Sequence, residues 1–531
     1  MTITSFSFFF FFIILFICYF CFPKKAQWPI LLIFSYVFYY LAGKQLPVYI
    51  FITTVVTYFA VNLIHRIKKK TDSFISSKPD IPNEEKKTLR QNSDKKRRAV
   101  LVLALCLNIG LLAVFKYTGT IFDGICNMAG SFGVDIGSKS INLLLPLGIS
   151  FYTFQSVGYM VDVYRKKVEP EKNFLKTALF VSYFPQIIQG PIARFENLAP
   201  QLFATHEFSF DALKKGVMLI LWGFLKKLVI ADNLAALTHE ITVNYTSYES
   251  LQILIGITLF GIQLYADFSG YMDIVGSFSG ILGIELAENF KRPYLSKNVT
   301  EFWRRWHMSL CFWFRDYVFY SIFMSKKMMN LAKKLRAKGY KTAAKNIPTF
   351  IAMIVIWFLT GLWHNLNGPQ IFWGLANGLI MICAVQFKPV YEKVGAALKI
   401  KDESKIWGFV KIIRTYFVMT LLNFFSEFPS MRAVFGCFKG LFTSIIPSGI
   451  SLSYLLPKTV DIGIGGIFVT FSACIVLLMH SLYEEKNGSV IEKICTKHWT
   501  MQLSVYVVLL FAIILFGGLT ESAGGFMYAQ F

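Results

Sequence analysis

Apolar runs long enough to cross a lipid bilayer recur along this sequence. Among others, they lie near residues 3–22, 28–43, 46–64, 412–428, 462–481 and 500–518. A helix needs about 20 predominantly apolar residues to span the hydrocarbon core, where it satisfies its own backbone hydrogen bonds. With 55% apolar and 16% charged residues, the composition excludes a soluble globular protein. We therefore predict an all-α polytopic membrane protein with about 11–12 transmembrane helices plus re-entrant or interfacial helices.

The basic residues are distributed as in a membrane protein. The net charge is +23, but Lys and Arg cluster in short segments between apolar runs, so we expect a lipid membrane and no nucleic acid as partner. Residues 65–98 carry twelve basic residues against five acids, and residues 326–347 carry eight basic residues and no acid. Basic loops remain on the cytoplasmic side of a membrane. Both segments are therefore predicted to be cytoplasmic loops, with the N-terminus outside.

Two apolar regions contain residues that oppose a simple membrane span. Pro and Gly break the sequence between Phe174 and Gln201, which predicts a re-entrant segment. Asp267 and Asp273 lie in a Gly-rich apolar stretch, where an ionised carboxylate is costly. We expect each to line a watery tunnel or to pair with a basic group. The two lysines within residues 222–228 are interpreted as side chains that snorkel to an interface.

A histidine ends the apolar run that begins at Ile351. Trp363 and Asn365 flank His364, and Gly361, Gly368 and Pro369 break the helix on either side of it. A polar side chain at this depth requires a partner or a function. One alternative is a ring that only bonds to a neighbouring helix. Because a neutral imidazole accepts a proton near neutral pH, we favour His364 as a catalytic base, with Trp363 and Asn365 as tunnel-lining candidates.

Aromatic and basic residues alternate at helical spacing between Lys291 and Tyr320. On one helix, Phe302 and Trp306 would share an apolar face, which is typical of a helix at the membrane interface. His307 adjoins that face. An interfacial aromatic belt explains this composition without a catalytic role, so the residues alone leave the function of His307 open.

Six motifs in order resemble the bacterial branch of the membrane-bound O-acyltransferases, which includes alginate O-acetyltransferases and the D-alanyl transferases of teichoic acids. They read PLGISFYTFQSVGYMVDVYR, FPQIIQGPIARF, FLKKLVIADNLA, DFSGYMDI, ENFKRPYLSKNVTEFWRRWHMSLCFWFRDY and GLWHN. The similarity is best in a catalytic core at residues 143–380 and weaker in the closing FMYAQF. It implies a single membrane-embedded acyltransferase domain over residues 1–531.

By this resemblance, His364 corresponds to the catalytic histidine of the family and His307 to its second, upstream histidine. Three departures from the family pattern leave the acceptor open. Asn365 follows the histidine where Gly is usual, and Asn377 stands where members carry a third histidine. The sequence FFSEFPS at residues 424–430 replaces an FFRA-like element.

The resemblance implies transfer of an acyl group, with acetyl as the first choice, from a cytoplasmic thioester to a hydroxyl group of a cell-envelope or extracellular polysaccharide. Acyl-coenzyme A would be the donor substrate, with no bound cofactor or metal. Without a GxSxG elbow or a reactive Cys-His pair in the sequence, direct transfer is favoured over an acyl-enzyme. The alternative within the family is D-alanyl transfer from a carrier protein to teichoic acid. A transporter or flippase is the more distant alternative.

Four basic residues are candidates for binding the phosphates of the donor, although each also suits an interfacial anchor. They are Lys291, Arg292, Arg304 and Arg305. The resemblance further implies a bacterial cytoplasmic membrane location. It also implies an SGNH-hydrolase-like partner outside the membrane that passes the acyl group to the polysaccharide.

Overall fold

A computed structural model describes residues 1–43, 47–132, 145–443 and 464–517, and every regular element in these ranges is a helix. The all-α prediction is therefore confirmed. Nine helices within these ranges are long and apolar enough to cross a membrane: Lys24–Gly43, Val48–Ser77, Asn83–Ser131, Ser250–Ile281, Lys341–His364, Gly368–Gln386, Lys405–Phe425, Gly465–Asn487 and Trp499–Phe516. This count is below the predicted one, in part because the runs at Phe6–Cys21 and Ile149–Tyr164 form helices of only 16 residues.

The chain divides into two compact units, one of residues 1–210 with 278–287 and the other of residues 211–277 with 288–531. Eight helices lie within the first unit: α1 Phe6–Cys21, α2 Gln27–Gly43, α3 Val48–Ser77, α4 Asn83–Ser131, α5 Ile149–Tyr164, α6 Phe174–Ser182, α7 Phe184–Ile187 and α8 Phe195–Phe203. In this unit α3 packs along both α4 and α5.

The segment predicted to re-enter the membrane is broken as its sequence indicates. Short helices α6, α7 and α8 replace one continuous helix, and Pro185 lies in the first turn of α7. Residues 177–187 are buried without interruption. Whether this segment enters and leaves on one membrane face remains a prediction.

The prediction of loops in the basic segments is wrong. Residues 65–77 continue α3, and α4 begins at Asn83, so only residues 78–82 connect the two helices. In the second segment, Lys326–Ala337 is a helix and the next helix begins at Lys341. Lys, Arg and Glu are good helix formers, so a polar and basic composition did not require a loop. The cytoplasmic location of both segments remains a prediction.

The second unit carries the remaining helices, except that the first begins one residue before it and the last four residues of the helix Ser250–Ile281 belong to the first unit. They are α9 Phe210–Phe224, α10 Asp232–Val243, α11 Ser250–Ile281, α12 Val299–Arg305, α13 Met308–Trp313, α14 Tyr320–Phe323, α15 Lys326–Ala337, α16 Lys341–His364, α17 Gly368–Gln386, α18 Lys388–Ala397, α19 Lys405–Phe425, α20 Met431–Thr443, α21 Ile464–Asn487, α22 Val490–Cys495 and α23 Trp499–Phe516. Two π-helical turns, Leu225–Ala231 and Phe314–Phe319, connect α9 to α10 and α13 to α14. The closing FMYAQF lies outside the described residues.

The core of this unit is aromatic and joins α11, α12, α16, α17 and α19. Its members include Phe260, Phe268, Phe302, Trp303, Trp306, Trp357, Trp373 and Phe424. Two glycines bring α16 and α17 into close contact, as small residues do between membrane helices. A Cβ atom at Gly361 would lie 2.5 Å from the carbonyl oxygen of Gln370, and one at Gly374 would lie 2.3 Å from that of Trp357. This contact fixes the end of α16, where His364 lies.

Candidate active site

His364 is the last residue of α16 and is only 6% exposed. The helix ends here because Asn365 adopts an extended conformation, with φ of −160°. The next helix starts at once, since the side chain of Asn367 accepts a hydrogen bond from the backbone N–H of Gln370 at 2.9 Å. The imidazole packs against two indoles, with ring centroids 4.6 Å from Trp363 and 5.0 Å from Trp373. The ring is therefore held at the end of a predicted membrane span.

His307 lies between the short helices α12 and α13 with a left-handed backbone, φ 44°. This conformation is costly for a residue with a Cβ atom and persists only where the surroundings enforce it. Asn289 does so, because its backbone carbonyl and its side-chain oxygen accept hydrogen bonds from the N–H groups of Met308 and Ser309, each at 3.0 Å. The side chain of His307 is 1% exposed. Burial lowers its pKa to about 3, so the ring is neutral at physiological pH.

The turn at His307 corrects the prediction of one interfacial helix between Lys291 and Tyr320. α12 ends at Arg305 and α13 begins at Met308, so the helix is interrupted, and the residues expected on an interfacial face are in the core. Phe302 is fully buried and Trp306 is 2% exposed. The sequence spacing identified the apolar residues, but it did not predict the left-handed backbone at His307, which lies between the two short helices.

Trp363 brings the two histidines into one site. Its ring centroid lies 4.6 Å from that of His364 and 6.5 Å from that of His307. Both histidines line a cavity of about 340 Å³. The family resemblance singled out both histidines, which are 57 positions apart in the sequence. In the structure both line the same cavity.

The cavity is long because its walls follow two helical faces. On α16 its lining residues recur every three or four positions: Thr349, Met353, Ile356, Thr360 and His364. Fifteen residues at about 1.5 Å per residue give this wall a length of roughly 22 Å. The opposing wall runs from His307 through Leu310 and Phe314 to Tyr320. Because Trp363 contacts both histidines, they lie together at one end of the cavity.

Residues 171–427 match the model of the membrane-bound O-acyltransferase family. This stretch is a membrane-bound O-acyltransferase domain. Both histidines, the long cavity and the aromatic core lie within it, and the family resemblance of the motifs is confirmed for these residues.

Three groups of relatives represent the branch that the motifs indicated. The chain is 35% identical over 281 residues to a probable alginate O-acetylase of Pseudomonas putida, covering 52% of this chain and 53% of that protein. It is 28% identical over 311 residues to a peptidoglycan O-acetyltransferase of Helicobacter pylori, covering 54% and 55%. It is 34% identical over 254 residues to a teichoic acid D-alanyltransferase of Bacillus subtilis, covering 46% and 59%. The chain thus spans little more than half the length of these relatives.

The four basic candidates for donor binding have different environments in the acyltransferase domain. Arg304 is exposed and lines the cavity, whereas Lys291 is exposed elsewhere. Arg292 and Arg305 both bind Glu485 of α21, with nitrogen–oxygen distances of 2.7 and 2.9 Å. Of these four residues, Arg304 is the one that lines the cavity, and it is therefore positioned to contact a donor bound there.

Sequence reasoning missed a second basic residue on the cavity wall. Arg315 lies on the π-helical turn and lines the same cavity as Arg304. About half of its side chain is exposed, although Asp316 binds its Nε atom at 2.7 Å. The FWFRDY motif contained this residue, but only the π-helical turn shows that it lies on the cavity face.

Asp267 and Asp273 take the second of the two expected alternatives and pair with basic groups. Lys227 binds Asp267 at 2.7 Å and Asp232 at 2.8 Å, and Lys226 binds Asp273 at 2.7 Å. We call these five residues the ion-pair cluster. The interpretation of the lysines as snorkelling side chains is wrong, because each is 4% exposed. A buried charge requires such a partner, and the two lysines supply it.

Two further positions flagged by the sequence have structural roles. Asn365 is half-buried and ends α16. Asn377 is fully buried, accepts a hydrogen bond from Trp303 Nε1 at 3.1 Å and donates one to the backbone oxygen of Trp373 at 2.9 Å. At the position of the third family histidine, this chain therefore has an amide that ties two core tryptophan residues together.

A smaller cavity of about 20 Å³ also reaches His364, and sequence reasoning did not predict it. Ser426 and Glu427 of the altered FFSEFPS element line it. Burial raises the pKa of Glu427 to about 7. The departure from the family pattern was visible in the sequence, but its proximity to the histidine was not.

Proposed function

We propose that this protein is a membrane-bound O-acyltransferase in which His364 is the general base. The observation that carries this proposal is the long cavity, with both histidines at one end of it. Such a cavity suits a thioester on a long, thin arm, whose reactive carbonyl would reach His364 while its phosphates remain near the surface.

The proposed reaction is direct transfer. The acceptor oxygen attacks the thioester carbonyl carbon as its proton passes to His364, and the C–S bond then breaks. The proton on His364 moves to the departing thiolate, which restores the neutral base. His307, neutral and fully buried, donates an N–H to the carbonyl oxygen while negative charge develops on it.

For the donor, we propose a phosphopantetheine thioester, the chemistry shared by acyl-coenzyme A and an acylated carrier protein. Arg304 and Arg315 line the cavity and supply positive charge for its phosphates. Acetyl-coenzyme A is our first choice, because the Pseudomonas relative is named a probable alginate O-acetylase and the Helicobacter relative a peptidoglycan O-acetyltransferase. The 34% identity to a teichoic acid D-alanyltransferase supports D-alanyl transfer from a carrier protein as the second candidate.

We further propose that the acyl group is passed to a cell-envelope polysaccharide, through an SGNH-hydrolase-like partner outside the membrane.

The proposed topology in the bacterial cytoplasmic membrane has the N-terminus outside. It has residues 65–98 and 326–347 in the cytoplasm, because both are strongly basic. Single cysteines introduced into these segments should resist an impermeant thiol reagent in intact cells. Ready labelling there would reverse the topology.

The function is tested with the purified full chain in lipid nanodiscs. Radiolabelled acetyl-coenzyme A and D-alanyl carrier protein are supplied separately with the native membrane fraction as acceptor, and release of free thiol is followed. We expect turnover of one of the two thioesters by the wild type and at least about a hundredfold less by His364→Ala. Absence of turnover with both thioesters would contradict the proposed function.

A further inference from the structure

A second cavity lies beside His364, apart from the long one. The two cavities share His364 and Trp373, and the smaller is further lined by Gln370, Asn423, Ser426 and Glu427. These residues come from the end of α16, the start of α17 and the end of α19. The catalytic imidazole therefore faces two separate spaces, a long one that is mainly apolar and a small one in which Leu264 and Trp373 lie beside polar side chains.

Asn423 holds a buried hydrogen-bond donor that is left open at this cavity. Its side chain is 4% exposed, and its Oδ1 atom accepts a hydrogen bond from Trp373 Nε1 at 2.9 Å. This bond fixes the orientation of the amide, because only the oxygen accepts from an indole N–H. The Nδ2 atom has no hydrogen-bond partner within the described residues. A buried donor without an acceptor is costly and points to a missing oxygen atom.

The volume of the small cavity limits which chemical group supplies the missing oxygen atom. A volume of about 20 Å³ exceeds the roughly 10–15 Å³ that one water molecule needs, but it is far too small for a thioester arm. Its polar groups are complementary to a hydroxyl. Asn423 donates, while His364 and the Glu427 carboxylate accept.

We propose that the small cavity is the subsite for the acceptor hydroxyl group, with Asn423 and Glu427 as its recognition residues. This inference rests on the proposed acyltransferase function. Asn423 Nδ2 donates to the hydroxyl oxygen and thereby turns the hydroxyl proton toward His364. When the oxygen attacks the acyl carbon, the proton passes to His364, the C–S bond breaks, and the thiolate takes the proton. Glu427 stabilises the imidazolium formed in between.

This arrangement gives His364 a position between the two substrates. The acyl group approaches through the long cavity and the hydroxyl through the small one, so neither has to leave before the other binds. The altered FFSEFPS element then acquires a role. It replaces the family's basic residue with Ser426 and a carboxyl group at Glu427, which favours a neutral hydroxyl-bearing acceptor over an anionic group at this point.

The test separates acceptor recognition from donor recognition. The full chain in nanodiscs is given acetyl-coenzyme A, or the D-alanyl carrier protein if that is the active donor, and a series of short envelope oligosaccharides. Steady-state KM values are measured for donor and acceptor. Asn423→Asp keeps the oxygen that binds Trp373 and removes the open donor. We expect it to raise the acceptor KM about three- to tenfold with the donor KM unchanged, the range for one lost hydrogen bond.

Asn377→Asp is the matched control. Asn377 is also a buried amide whose oxygen binds an indole N–H, but it lies outside the lining of both cavities. It should leave the acceptor KM as in the wild type. Glu427 is half-buried, so Glu427→Gln carries less risk of misfolding, and it should lower kcat at least tenfold without changing the donor KM. Glu403 is exposed, and Glu403→Gln should leave both kcat and the donor KM unchanged.

The outcomes are distinguishable. A wild type that turns over no thioester contradicts the proposed function itself. A wild type that transfers, together with Asn423→Asp and Glu427→Gln variants whose acceptor KM and kcat are normal, refutes the subsite alone. If Asn423→Asp and Asn377→Asp lower thermal stability and activity to the same extent, Asn423 only holds Trp373, and the subsite is again refuted.

Discussion

Two of the places where the second unit buries polar groups are built differently: the ion-pair cluster and the surroundings of His364. In the ion-pair cluster, each lysine binds at least one carboxylate within the protein, at 2.7–2.8 Å. Around His364, by contrast, polar groups face cavities, and Asn423 retains an open donor. Paired charges offset each other's cost of burial within the fold, whereas polar groups that face a space are available to a substrate. Burial of polar groups is costly in both regions. In the ion-pair cluster these groups serve the fold, and around His364 they serve the proposed reaction.

The largest expected effect lies at the cavity. His364→Ala should lower acyl transfer by about 10²- to 10⁴-fold, the usual contribution of a general base, while the protein remains folded and membrane-inserted. Turnover is measured per molecule of monodisperse protein. Near-normal turnover of the variant on the native acceptor would remove the basis for the assignment of this site.

In the ion-pair cluster the effect should instead fall on stability. Lys227→Met leaves Asp267 and Asp232 without their shared cation and should cost about 3–5 kcal/mol, seen as lost monodisperse yield and a lower Tm. Lys215→Met is the matched control, since Lys215 pairs with Glu492 on an exposed face and such a pair contributes about 1 kcal/mol or less. Equal effects of the two variants would mean that the cluster is not essential to the fold.

His307→Ala tests the second histidine of the cavity. Since we assign it to carbonyl polarisation, the loss should be about 10²- to 10³-fold in kcat and smaller than that of His364→Ala, with the donor KM little changed. Release of the left-handed turn is a separate effect, so thermal unfolding is followed in parallel. A loss of activity that only follows a loss of folded protein would assign His307 to structure.

Arg304 and Arg305 are adjacent in the sequence, but one faces a cavity, like the groups around His364, and the other is paired with carboxylates, like the lysines of the ion-pair cluster. Arg304 lines the cavity, while Arg305 is paired with Glu301 and Glu485. Arg304→Gln should raise the donor KM about ten- to a hundredfold with kcat unchanged, because it removes one charged hydrogen bond from ground and transition states alike. Arg305→Gln should leave the donor KM unchanged. An effect at Arg305 and none at Arg304 would overturn this assignment.

The smallest effect is expected at Asn377. Asn377→Ala removes two hydrogen bonds to the tryptophan pair but no group that faces the long cavity. We expect a modest fall in Tm and turnover within about threefold of the wild type, as for one or two ordinary hydrogen bonds. A loss as large as that of His364→Ala would mean that the residue acts in catalysis in place of the third family histidine.

Much of the fold followed from local sequence properties. The length of apolar runs predicted membrane helices, and Pro and Gly predicted the broken segment at α6–α8. The errors occurred where composition is ambiguous. Basic residues form helices as readily as loops, so residues 65–98 were wrongly predicted to be a loop. Buried lysines resemble snorkelling ones until carboxylate partners distant in the sequence, here Asp267 and Asp273, are known.

By itself, the sequence determined the class of protein and the family motifs, and through those motifs it named His364 and His307 as candidate site residues, because these depend on residue identity and short-range spacing. Tertiary structure alone decided what surrounds them. The left-handed turn at His307, the pairing of Lys227 with Asp267, and the approach of Glu427 to His364 each join segments distant in the chain. Such contacts depend on how helices pack, and helical periodicity specifies which face of a helix is apolar but not which neighbour meets it.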